Sequence, residues 1–296
     1  MRHIRGPYLG VLMLLVSITS TQFGTSEAKF LMMKVGPEVT VALRLACATL
    51  LLFLALRPWR HVPRRGEWKS VLVYGVAIAF MNGCFYQAIA RIPQGVAVAV
   101  EFSGPLLVAV CSSRRWTDYA GIVLAVAGLL LILPWTGLDA GLDLTGMAFA
   151  LAAAAGWAGY IVFGRRAGGG GVCAAAWGML AGTLVAVPWA AAVSDGTFLS
   201  RPDLFTDVLP LAFAVGFLAS ALPYGLEIVA LRIVPPQAYG VLMSLEPAAA
   251  ALFGFLILGE VLSPRQWCAL GLVISASLLV MRKSGEARED AAGESA

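Results

Sequence analysis

Long apolar runs of about twenty residues, parted by short polar or proline-bearing breaks, recur from one end of the 296-residue chain to the other. An α-helix rises 1.5 Å per residue, so about 20 apolar residues match the ~30 Å hydrocarbon core of a bilayer. Read between breakers, the first runs fall at Tyr8 to Lys34, Pro37 to Leu56, Trp68 to Ala90, Pro93 to Ser112 and Asp118 to Pro134. A polar stretch from Trp135 to Asp143 follows, then runs at Leu144 to Gly164, Val172 to Val193, Pro210 to Leu231, Pro236 to Leu258 and Pro264 to Met281. The expected fold class is therefore all-α, a polytopic membrane protein of ten transmembrane helices. A composition of 59% hydrophobic and 13% charged residues excludes a water-soluble surface, because soluble domains carry roughly 25% charged residues.

Five runs lie on each side of the polar stretch, and an odd number of passes makes the second half enter the membrane upside down. Two inverted five-helix repeats are expected, over residues 1–137 and 138–283. The halves echo each other: Gly10 to Phe23 lines up without gaps with Gly146 to Gly159. Arg91-Ile-Pro before the fourth run echoes Arg232-Ile-Val-Pro before the ninth, and Pro105 and Pro247 sit correspondingly within those runs. Residues 284–296 are polar, charged and free of aromatics, which predicts a disordered tail.

Lys and Arg number 21, and they sort unevenly onto alternating sides once Arg44, inside a run, is set apart. Fifteen fall on one side, among them Arg57, Arg60, Arg64, Arg65 and Lys69, and five on the other, namely Lys29, Lys34, Arg91, Arg201 and Arg265. Basic loops stay in the cytoplasm, so both termini are expected there, and the membrane is expected to be the inner membrane of a bacterium. Met1 to Ala28 has the form of a signal peptide, yet removing it would leave nine runs, so it is read as the first helix.

Several function classes drop out. The small net charge of +4 gives no reason to expect nucleic acid as a partner. Cys47, Cys84, Cys111, Cys173 and Cys268 show no CxxC spacing, and His3 and His61 form no ligand pattern with them, so neither a metal nor another cofactor is expected. The glycines at 168–171 lack the Lys-Ser or Lys-Thr of a phosphate loop. No nucleophile and base pair lies in the runs, so the chain does not read as an enzyme.

What remains is polar chemistry at membrane depth. An ionisable side chain there costs at least about 2.5 to 3.5 kcal/mol and marks a functional site by default. Glu101 and Glu246 lie near the middle of the fourth and ninth runs, where a helix-packing hydrogen bond competes with contact to substrate or a proton. Proline cannot bond the carbonyl four residues back, so Pro105 releases the carbonyl of Glu101, and Pro247 that of Met243 beside Glu246. Each half thus sets a carboxylate next to an opened turn, an arrangement tolerated where it lines a cavity. Arg44, roughly 10 Å from the outer end of its run, reads either as a snorkelling cation or as a charge inside the cavity with Glu27 or Glu101 as counter-ion. Gln22, Asn82, Tyr86, Trp157, Tyr160 and Tyr224 supply hydrogen-bonding groups or amphipathic rings, and Glu227 reads as a gate or as an interfacial partner of Arg232.

These stretches resemble the drug/metabolite transporter superfamily of the EamA type, and within it the bacterial threonine and homoserine exporters. The likeness rests on QFGTSEAK (22–29), TVALRL (40–45), MNGCFY (81–86), VEFSGPLLVAVCSSRR (100–115), GWAGYIVFGRRAG (156–168), ALPYGL (221–226) and VLMSLEPAAAALFGFLILGEVLS (241–263). It implies a carrier that moves small amino acids out of the cytoplasm, with a cavity lined by the first, third, fourth, sixth, eighth and ninth helices. Gln22, Lys29, Arg44, Asn82, Tyr86, Glu101, Glu227 and Glu246 fall on the matching motifs. Glu27 departs from them, an apolar residue being usual there.

The expected function is alternating-access export of a threonine-like or homoserine-like amino acid. The substrate carboxylate would meet Lys29 or Arg44, its amine Glu101 or Glu246, and a side-chain hydroxyl Asn82, Gln22 or Tyr86. Proton antiport through Glu101 or Glu246 is one expectation, and uncoupled facilitation the other. Export of drugs or other metabolites is the competing class, and a channel a more distant one.

Overall fold

The structure, a computed structural model, describes residues 2–111, 120, 123–124, 126–128, 130–131, 143–167, 171–194, 202–230, 234, 242–276 and 278. The break at 135–142, the glycine loop at 168–170, the start of the ninth run at Pro236 and the tail 284–296 lie outside these residues.

Helix α1 runs Arg2–Leu56 with one non-helical residue, Gly36, at φ 79° and ψ 164°. The apolar part, Tyr8–Leu56, is 49 residues long. At 1.5 Å per residue it would extend roughly 70 Å, more than twice a ~30 Å core. It is therefore two passes meeting at Gly36, between Lys34 and Pro37 where the sequence breaks. A positive φ costs glycine little because it has no Cβ.

Arg57 in the left-handed region and a 3-10 turn, Pro58–Arg60, then turn the chain toward α2, Trp68–Ile89. The fourth run is interrupted: α3 is Gln94–Glu101 and α4 is Ser103–Cys111, parted at Phe102. That break falls where Pro105 withholds an N–H from the Glu101 carbonyl. Helices α5, Leu144–Ala167, and α6, Gly171–Val193, follow. The eighth run is a rod in which α7, Leu209–Gly216, and α8, Leu222–Ala230, are α-helical, while Leu204–Val208 and Phe217–Ala221 are π-helical. Helix α9, Glu246–Leu258, begins with Pro247 in its first turn after a turn at Ser244 and Leu245, and α10 covers 264–276.

The described backbone is helical, without a strand. Five of its runs are long and apolar enough to cross a membrane, and two apolar helical stretches, Gln94–Val108 and Glu246–Leu258, are shorter. Leu54, Leu72, Phe80, Leu107, Leu184, Phe255 and Leu256 are exposed, the outer surface expected of a bundle whose solvent is lipid. Inside, α2 packs on α5 and α6, α1 on α6, α7, α8 and the second π-turn, and α3 on α5 and α9. The core between them is rich in small residues such as Ala28, Ala97, Ala99, Ala150, Ala153, Ala219 and Ala251. Small side chains let helix backbones come close where hydrophobicity gives no advantage over lipid.

Candidate substrate cavity

A cavity of about 350 Å³ opens among α1, α2, α3, α5, α8 and α9. Nine sequence-predicted residues line it: Gln22, Arg44, Asn82, Glu101, Trp157, Tyr160, Tyr224, Glu227 and Glu246. Thr21, Thr25, Met81, Phe85, Val98, Phe102, Pro105, Ile161, Ala219, Pro223 and Met243 complete most of the wall. The six helices implied by the resemblance all contribute, and the second run joins them through Arg44.

Arg44 dominates the polar wall. It is only 8% exposed, so it does not snorkel to an interface. Its Nε donates to Ser220 Oγ at 3.0 Å, Nη1 to Asn82 Oδ1 at 2.6 Å and Nη2 to the Ala219 carbonyl at 2.7 Å. The Tyr86 ring lies 5.4 Å from the guanidinium carbon. These hydrogen-bond partners are all neutral; contrary to the expected counter-ion, neither Glu27 nor Glu101 is within ion-pair distance of Arg44, although Glu101 lies near enough to feel its charge. A guanidinium has five N–H donors. Among the described residues three are engaged, leaving one on each terminal nitrogen, the fork that matches the two oxygens of a carboxylate.

Asn82 is less free than its sequence suggested, since its Nδ2 donates to the Ile78 carbonyl at 2.9 Å while its Oδ1 serves Arg44. Tyr86 is fully buried behind Arg44 and does not line the cavity. Asn82 orients the cation from the cavity wall, and Tyr86 backs it from behind.

Glu101 and Glu246 are each 7% exposed. Glu101 ends α3 and Glu246 begins α9, so each stands at a helix interruption. Neither carboxylate makes a hydrogen bond or ion pair with another described residue. Glu227, by contrast, accepts a hydrogen bond from Ser17 Oγ at 2.7 Å. Near it, Tyr74 and Tyr160 stack with ring centroids 4.9 Å apart, and Trp157 meets Phe102 edge-on at 5.7 Å.

Lys29 stands apart from this group. Its Nζ pairs with Glu260, whose other oxygen accepts the backbone N–H of Gln94 at 2.7 Å. The Gln94 side chain, fully buried, accepts from Ser26 Oγ at 2.9 Å and donates to the Gln22 carbonyl at 3.0 Å. A hydrogen-bonded chain therefore leads from Gln22 on the cavity wall to the Lys29 and Glu260 pair. Sequence reasoning missed Ser220, Gln94 and Glu260. Pro223, two residues after the end of the π-turn, was an available signal for the first, and Glu260 in the GEVLS motif for the last.

A lipid-facing helical bundle with a polar cavity at interrupted helices has the architecture of a membrane transport protein. The model of the EamA-like transporter family matches residues 8–133 and 144–282, and the chain belongs to that family, a multi-pass membrane protein. It is 44% identical over 286 residues to the threonine/homoserine exporter RhtA of Escherichia coli strain K12, covering 95% of each chain. RhtA of Salmonella typhimurium strain LT2 is 44% identical over 272 residues, covering 92% of this chain and 90% of that one. The uncharacterized inner membrane transporter YedA of Escherichia coli strain K12 is 29% identical, over 82% of this chain and 81% of its own length. One solved crystal structure, 19% identical, superposes with a TM-score of 0.61 over 93% of this chain and 97% of that chain, a likeness of fold.

Proposed function

We propose that this protein exports small amino acids of the threonine and homoserine type across the cytoplasmic membrane by alternating access between two inverted five-helix halves. The observation that carries the reading is Arg44, a buried guanidinium hydrogen-bonded among the described residues only to neutral groups and sharing its cavity with Glu101 and Glu246. That combination complements a zwitterion: the carboxylate pairs with Arg44, and the ammonium with Glu101 or Glu246. Gln22 and Thr25 offer a substrate hydroxyl its partners. The exporter names of the 44% identical relatives support the same substrate class.

Lys29, engaged by Glu260, leaves the carboxylate to Arg44. In this reading the Lys29, Glu260 and Gln94 cluster closes the outer end of the cavity and must part for release. The two family-model matches, one per half, and the carboxylate at an interrupted helix in each half support the inverted repeat. Both termini lie in the cytoplasm. A proton taken up by Glu101 or Glu246 as substrate leaves would couple export to the pH gradient.

Counterflow of labelled threonine, homoserine and a panel of other amino acids into proteoliposomes tests the substrate class. Saturable exchange of the first two is expected, and its absence would sink the reading. Export that runs unchanged with the pH gradient collapsed at zero potential would remove proton antiport. Export of drugs or other metabolites is favoured by one observation, the aromatic wall of Phe85, Phe102, Trp157, Tyr160 and Tyr224; growth tests against cationic drugs separate the two.

A further inference from the structure

In an α-helix each N–H bonds the carbonyl four residues back. At the second π-turn of the eighth run two successive carbonyls lose the donor this rule assigns them. Leu222 donates its N–H to the Phe217 carbonyl, five residues back, which closes the π-turn and leaves the Leu218 carbonyl without its usual donor. Pro223 has no N–H at all, so the Ala219 carbonyl loses its donor as well.

Helix α1 supplies both missing donors. Ser20 Oγ bonds the Leu218 carbonyl at 2.7 Å, and Arg44 Nη2 the Ala219 carbonyl at 2.7 Å. Between those carbonyls and the proline lies Ser220, fully buried, whose Oγ accepts Arg44 Nε at 3.0 Å. The approach is tight: a Cβ on Gly24 would come within 2.8 Å of the Ala219 nitrogen. α1 is thus keyed into a defect that the eighth run makes by sequence.

We propose that the π-turn Phe217–Ala221 together with Pro223 is a cradle that fixes Arg44 as a carboxylate receptor, with Ser220 and Pro223 as positioning residues; this rests on the substrate reading above. The cradle takes the Nε side of the guanidinium and one N–H of Nη2, and Asn82 takes one of Nη1. The remaining pair of donors then has a set direction. A carboxylate accepts both, whereas a carboxamide offers one acceptor oxygen and turns an NH₂ toward the second donor. The cradle therefore selects the head group and leaves the side chain of the substrate to the rest of the cavity.

The test compares threonine with threoninamide, binding each to purified wild-type protein, S220A and P223A in nanodiscs, with the unfolding temperature recorded alongside. Wild type should prefer threonine. Each variant should lose about tenfold of that preference, while P223A keeps or raises its unfolding temperature because residue 223 regains an N–H for the Ala219 carbonyl. Wild-type preference that survives both substitutions overturns the cradle alone. Equal weakening of both ligands in the variants overturns it too, as the mark of a merely structural role. A wild-type protein that binds the two ligands equally removes the carboxylate reading, and the cradle's role with it.

Discussion

Arg44 Nη1 donates to Asn82 Oδ1 at 2.6 Å, and so the second pass of α1 is tied to α2 inside the cavity instead of at its rim. Asn82 is itself held by the Ile78 carbonyl one turn earlier. A short neutral acceptor thereby orients a buried cation without neutralising it. Replacing Asn82 by Leu removes that acceptor while keeping volume. The expected result is a loss of about tenfold in threonine affinity, with R44A losing counterflow altogether; equal affinity in N82L and wild type, measured by calorimetry, would detach Asn82 from substrate binding.

Glu101 and Glu246 are buried carboxylates without a described partner, so neutral isosteres keep their shape and remove only the charge. E101Q and E246Q should each fold, with unfolding temperatures within a few degrees of wild type. Amino-acid exchange should fall below detection in E101Q and strongly in E246Q. Full counterflow in E101Q returns that residue to a packing role.

The pair of Lys29 with Glu260 is partly buried, at 17% and 15% side-chain exposure. Removing one partner of such a pair strands the other, and E260Q or K29A should cost on the order of 1 to 3 kcal/mol, discounted from the fully buried case for solvent screening. Reversed charges, K29E with E260K, should recover part of the loss relative to either single reversal. Thermal unfolding in detergent measures both. Additivity of the single effects would show that the two side chains do not act together.

Two glycines should respond oppositely to a side chain. Gly24 abuts the Ala219 nitrogen, so G24V should overpack the contact between α1 and the π-turn and cost about 1 to 3 kcal/mol. Gly159 in α5 has open space where its Cβ would stand, and G159A should be neutral or stabilising by up to about 1 kcal/mol. Unfolding temperatures of the two variants decide it.

The helical frame was legible because it is a local property. α2, expected over Trp68 to Ala90, is found at Trp68–Ile89, and α6, expected from Val172 to Val193, at Gly171–Val193. The break at Gly36 fell where Lys34 and Pro37 flank it, and the interruptions at Phe102 and at Ser244 and Leu245 followed Pro105 and Pro247. Lys29 reads from sequence as a cavity residue because charge and depth are legible there whereas the facing side of a helix is not. Its partner Glu260 lies 231 residues away.

The sequence by itself determined an all-helical chain bathed in lipid, since backbone N–H and C=O groups in hydrocarbon must be satisfied within each helix and about twenty apolar residues suffice for a pass. It also determined where those helices would open, because a missing proline N–H is a property of one residue. Only the tertiary structure decided that Arg44 is held by Ser220 and the Ala219 carbonyl, 176 and 175 residues away, and not by a carboxylate. Such partnerships depend on how each helix is rotated about its own axis and how closely small residues let the backbones approach, and these follow from the packing of the whole bundle.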